Sequence, residues 1–159
     1  MRTIETKVYL FKELDEQTKE KAIRNNYDIA IQDDWYHFTK DDLKEVGIEL
    51  RSFDIDRGSY AEIHIDYFFE TCEKIIKSHG GNCETYKIAE RYIKEYNEIH
   101  CHIHDDDAIE NLDEEYQKEF SEEVLSMLRQ EYEHMTSDEY INDMFEANEY
   151  EFTAEGKII

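Results

Sequence analysis

The stretch that decides the fold is IELRSFDI (residues 48–55), DRGS (residues 56–59) and YAEIHI (residues 60–65). Apolar and polar residues alternate on both sides of a four-residue turn that contains Gly58. Alternation of period two marks half-buried strands, and a short Gly-containing turn between two such runs marks an antiparallel hairpin. The sequence on either side has helical periodicity, so this hairpin makes the chain α+β.

Upstream, Thr3 to Phe11 alternates, with Ile4, Val8 and Leu10 on one side and Glu5 and Lys7 on the other, which predicts a strand. Asp15 is placed to cap a helix containing Ala22, Ile23 and Tyr27. A second helix is expected from about Asp33-Asp34, carrying Trp35, Phe38, Leu43 and Val46 and ended by Gly47 in a left-handed conformation. Downstream, Tyr67 to His79 reads as a helix stopped by Gly80-Gly81. Asn82 caps the next one, with Tyr86, Ile88, Ala89, Tyr92, Ile93 and Tyr96 inward. A long helix over about 109–134 has the apolar stripe Leu112, Tyr116, Phe120, Val124 and Leu128. Thr136 and Glu139 have capping-box spacing for a last helix with Tyr140, Ile141, Met144 and Phe145. Tyr150 to Ile158 predicts a final strand or hairpin arm, turning near Gly156. No internal repeat is visible. The expected architecture is α+β: a small, mainly antiparallel sheet of three to four strands packed with five to six helices. One acidic domain over residues 1–159 is the natural division at this length.

The net charge is −23, from 41 acids and 18 bases. Solubility of a small domain needs roughly 2 to 8 charges, and the excess destabilises the compact state by self-repulsion. Residues 105–151 hold 18 acids and two bases, Lys118 and Arg129. Residues 1–104 hold 22 acids and 15 bases. With 40% hydrophobic and 13% aromatic residues, the chain has the material for a core and is not a disordered acidic tail. The acidity argues against direct binding to nucleic acid or anionic lipid and favours a basic protein partner. No apolar run approaches the ~20 residues of a membrane span, and no secretory leader opens the chain. Three irregularly spaced cysteines fit free thiols in a reducing cytoplasm.

If helical throughout, residues 105–134 span ~45 Å. They carry 12 acids and two bases, about one net charge per 4.5 Å, against ~3.4 Å for a single nucleic-acid strand and ~1.7 Å for a duplex. At 100° per residue, Glu115, Glu119, Glu122 and Glu133 fall opposite the apolar stripe. Glu123 lies beside them, and Asp138, Glu139 and Asp143 add acids on the last helix. Tyr132 and Tyr140 sit among these acids, as an interface with a basic partner would use them. The competing reading is a solvated helix face, which ordinarily mixes signs. A like-charged face also argues against self-association through it.

His100-Cys101-His102-Ile103-His104-Asp105 is dense in metal-ligand types, and His79, Cys83, Cys101 and His104 could make a tetrahedral zinc site. Their spacings match no strong zinc template, so neither metal nor cofactor is expected. The alternative is a polar connection with Cys101 buried. Asp54, Asp56, His64 and Asp66 lie on or beside the hairpin and could gather as an acid–base group. No nucleophile elbow, phosphate loop or H-E-x-x-H appears, so an enzyme is not expected.

The opening RTIETKVYLFKELDEQTKEKAI (residues 2–23) resembles the start of small acidic proteins encoded by phages and prophages of low-GC bacteria, with its F-x-E-L-x-E-x-x-K-x-K-A helix entry. The end FEANEYEFTAEGKII (residues 145–159) resembles the C-terminus of the same group, and Asp34-Trp35-Tyr36 falls where that group often has an acidic-aromatic cluster. The resemblance implies a strand, a helix start and a final hairpin, and no catalytic residues. Such proteins are labelled antitoxin-like, and by analogy are similar to anti-CRISPR and other anti-defence inhibitors. The expected function is inhibition of a host nucleic-acid-processing effector in the bacterial cytoplasm. The acidic helices would occupy its basic groove as a nucleic-acid mimic. The alternatives are an antitoxin, a zinc-stabilised module or a metal-dependent enzyme.

Overall fold

A computed structural model describes residues 7–32, 34–102 and 106–159, without the side chain of residue 102. The fold is α+β, with six α-helices and four short strands among the described residues. The strands form two separate antiparallel pairs instead of one sheet. Contacts divide the chain into two compact units, one of residues 1–35 and 131–159 and one of residues 36–130.

The first unit begins with β1 (Tyr9–Leu10), followed by a 3₁₀ turn and α1 (Glu16–Asn25). The N-terminal part of the expected Thr3–Phe11 strand lies outside the described residues. Asp15 caps α1 as its sequence position predicts, accepting from the Thr18 N–H at 3.0 Å and the Thr18 hydroxyl at 2.9 Å. These bonds hold the Asp15 carboxyl below its usual range. The unit closes with α6 (Asp138–Ala147) and β4 (Glu151–Phe152), which pairs with β1 so that Tyr9 faces Phe152. Phe11, Phe145 and Phe152 form its aromatic centre, with ring centroids 5.0 to 5.7 Å apart. Leu14, Ala22 and Ile141 complete the buried set. The tail turns back at Gly156, whose φ of +77° suits glycine. A Cβ there would stand 3.0 Å from the Thr18 carbonyl oxygen, so the turn also needs glycine to reach α1.

The second unit holds α2 (His37–Val46), β2 (Ile48–Asp54), β3 (Tyr60–Ile65), α3 (Phe68–Ser78), α4 (Glu84–His102) and α5 (Asp106–Met135) up to residue 130. Gly47 ends α2 with φ +103°, as expected. α2 begins at His37, later than Asp33-Asp34 suggests, because residues 34–36 form a turn and Tyr36 packs edge-on against Phe53 at 4.8 Å. In the hairpin Ile48 faces Ile65 and Leu50 faces Ile63. The register then shifts between Leu50 and Ser52, which makes Arg51 a bulge. The sequence carries the trace of this. Its apolar positions are even at 48 and 50 and odd at 53 and 55, and one extra residue returns the later pair to the same side. α4 continues through Cys101, where a polar connection is expected, and the thiol of Cys101 is exposed, not buried.

Candidate functional site

The apolar stripe of α5 packs as its periodicity predicts: Leu112, Tyr116, Phe120, Val124 and Leu128 are all buried. Its carboxylates have three different fates. Glu115 and Glu122 are exposed. Glu119 is half-buried and bound by the Arg91 guanidinium of α4. Glu123 is half-buried, and desolvation followed by the nearby Glu84 raises its pKa.

Two reciprocal bonds tie α4 to α5. The Tyr92 hydroxyl donates to Asp113 at 2.6 Å, and the Tyr116 hydroxyl donates to Glu95 at 2.9 Å. The two rings meet edge-to-face at 5.3 Å, a favoured aromatic geometry. Desolvation pushes the Asp113 carboxyl up, against the downward pull of the Tyr92 bond. Both tyrosine hydroxyls are held protonated, mainly by burial and then by their carboxylate partners.

These engagements lower the charge that α5 shows to solvent. Among the described residues from 106 to 130, six acids are exposed (Asp106, Asp107, Glu110, Glu114, Glu115 and Glu122), with two exposed bases, Lys118 and Arg129. Over ~37 Å of helix, the exposed net charge is about one per 9 Å, well below single-strand density.

α6, in the other unit, is denser. Ser137 caps it, accepting from the Tyr140 N–H at 3.3 Å, one residue later than the Thr136 cap that the sequence predicts. The Thr136 hydroxyl instead donates to the Tyr132 carbonyl at 2.8 Å, closing the end of α5. Ile141 and Phe145 are buried on one side of α6, and Asp138, Glu139, Asp143 and Glu146 are exposed. Glu139, Asp143 and Glu146 follow i, i+4, i+7 spacing along one line. Four acids over the ~15 Å of this ten-residue helix give about one charge per 4 Å, close to the ~3.4 Å of a single strand.

Asp138 and Glu139 stand in the first turn, where the helix dipole favours negative charge. Glu146 stands in the last turn, where it disfavours it, and that turn contains no base; Asp143 lies between the two ends. Glu133 is likewise an exposed acid in the last turn of α5. Tyr132 is half-buried edge-on to Trp35 at 5.7 Å, and Tyr140 is half-buried edge-on to His134 at 5.1 Å.

The candidate zinc ligands Cys83 and Cys101 are not brought together. Cys83 immediately precedes α4 and Cys101 lies at its far end, so the helix separates them by ~27 Å. The Nδ1 of His79 meets the Thr85 hydroxyl at 2.7 Å, and its Nε2 lies 3.7 Å from Asp42. His104 lies outside the described residues. Among the described residues no group of three metal-ligating side chains converges.

The hairpin acid–base group is not assembled either. Asp54 closes the turn by accepting from the N–H groups of Asp56 at 2.8 Å and Gly58 at 2.9 Å, which lower its pKa. His64 faces Glu49 and bonds Asp66 at 2.9 Å. That pair lies roughly 16 Å along the strand from Asp54.

No protein-family model, curated protein or solved structure matches the chain. Among the described residues no helix is long and apolar enough to cross a membrane.

Proposed function

We propose that this chain is a non-enzymatic, phage- or prophage-encoded inhibitor of a host defence nuclease, of anti-CRISPR type. It binds a basic nucleic-acid-binding groove in the bacterial cytoplasm through the carboxylates of α6. The observation that carries this reading is the unbroken acidic face of α6, which includes Glu146 at the wrong end of the helix dipole. An acid placed there costs stability, about 0.3–1 kcal/mol, which supports a use outside the fold. The near-single-strand spacing of that face supports mimicry of one strand, not of a duplex. Glu133, Tyr132 and Tyr140 lie in the same unit and supply further charge and aromatic edges. Glu115, Glu119, Glu122 and Glu123 act as field, with only Glu115 and Glu122 fully offered to solvent.

Capture from host lysate tests this. The chain should retain basic nucleic-acid-binding proteins at about 0.05 M salt and release them at about 0.5 M. A variant with Asp138→Asn, Glu139→Gln, Asp143→Asn and Glu146→Gln should retain little. Equal capture by this folded variant would overturn the α6 assignment. Capture of one small basic toxin would replace the inhibitor with an antitoxin.

A further inference from the structure

We infer that the outer edge of β2 is a docking groove for an extended peptide that bears carboxylates. The groove belongs to the unit of residues 36–130, so it stands or falls separately from the α6 reading.

β2 has β3 as its one strand partner among the described residues. Alternate backbone N–H and C=O groups along β2 therefore point away from β3, a ready template for another strand. A groove of about 690 Å³ borders Ile48, Glu49, Leu50 and Arg51 in succession. Consecutive strand residues point to opposite faces. A cavity that touches four in a row thus reaches the backbone edge of the strand as well as a face, and at the open end of the hairpin it also meets Asp66, just past β3.

The opposite wall is α2, through Lys40 and Lys44. Lys74 stands close by, its Nζ 3.9 Å from where a Cβ on Gly47 would lie. None of these three lysines is ion-paired among the described residues. The two carboxylates of the groove are already engaged. Glu49 holds the Arg51 Nε at 3.2 Å, and Asp66 bonds His64. The local surplus is positive, in a chain whose net charge is −23.

An open strand edge selects an extended backbone, and the lysines select negative charge on it. In a strand docked there, alternate side chains stand on one face of the sheet, so carboxylates at every second residue would line up on the side that the long α2 lysines reach across. A single-stranded nucleic acid would satisfy the lysines but would leave the backbone edge unused.

Fluorescence anisotropy on the full chain tests this at about 0.15 M salt, where the distant acids are screened. The probe is a labelled peptide of roughly seven residues, the length of β2, alternating Glu and Val. It should bind at least ~10-fold more tightly than the matching Lys–Val peptide, and than the same Glu–Val peptide N-methylated at alternate residues. Binding should slow hydrogen exchange in β2, and the K40E/K44E variant should lose at least ~10-fold while melting as the parent does. If K40E/K44E proves unfolded, Lys44→Gln alone should show a smaller loss in the same direction. The inference is wrong if the Glu–Val peptide does not bind, if N-methylation leaves affinity unchanged, or if a single-stranded oligonucleotide binds more tightly. It is also wrong if a folded lysine variant binds the peptide as well as the parent.

Discussion

Glu146 and Asp113 are two carboxylates that work against the stability of this protein for different reasons, and each can be tested alone. Glu146 opposes the dipole of α6. Glu146→Lys should therefore stabilise the fold by about 0.3–1 kcal/mol while weakening partner capture, read as a urea midpoint and a pull-down on the same preparation. Asp113 is charged where burial disfavours charge. Its folded pKa lies above the ordinary 3.8, so the folded state holds the proton more tightly, and stability falls as pH rises from 3.8 through the raised value. Asp113→Asn keeps an acceptor for the Tyr92 hydroxyl. It should raise stability at pH 7 by a few tenths of a kcal/mol after screening and flatten that decline. Asp15 and Asp54 act with the opposite sign. Their folded pKa values are lowered, so their contribution is present above 3.8 and is lost as pH falls through the lowered values. Among the thiols, burial pushes Cys72 up to about 12, while Cys83 and Cys101 are exposed. A thiol reagent at pH 8 should label Cys83 and Cys101 within minutes and reach Cys72 only after unfolding. Rapid labelling of all three would contradict the packing around Cys72.

At the scale of elements, the sequence is informative wherever one helix or strand decides its own pattern. The α5 stripe, the Asp15 cap and the Gly47 stop follow from periodicity and backbone geometry, and the structure has all three. The misreadings fall where two elements compete or cooperate. Thr136 has the right spacing to cap α6, but its hydroxyl closes α5 and Ser137 takes the role. The acids of α5 look free on a helical wheel because the wheel cannot show that α4 brings Arg91 and Tyr92 against Glu119 and Asp113. The same omission hides α6 as the denser acidic face. The pairing of β1 with β4 joins the two ends of the chain, which the pattern of neither end shows by itself. Cys83 and Cys101 cannot share an ion, because the length of α4 runs between them. At Gly156, both the positive φ and the Thr18 carbonyl oppose a side chain. Gly156→Ala should cost about 1–2 kcal/mol, read as a lower urea midpoint.

For the whole molecule, charge is the strongest influence on behaviour in solution, and it is unevenly shared. Within the unit of residues 1–35 and 131–159, the segment 131–159 holds nine acids and one base, Lys157. Residues 1–35 hold eight acids and six bases. Self-repulsion of this size should make the protein more stable at about 0.5 M salt than at about 0.01 M, where the Debye length is ~30 Å. The same salt should weaken binding to a basic partner, so stability and function should move in opposite directions. The most direct measurement of nucleic-acid mimicry by α6 is displacement. The basic protein captured from lysate is loaded with labelled single-stranded nucleic acid and titrated with this chain. The parent should release the label stoichiometrically, and the Asp138, Glu139, Asp143, Glu146 amide variant should release little. Release by that folded variant at the parent's concentration, or no release by the parent, would contradict the mimicry.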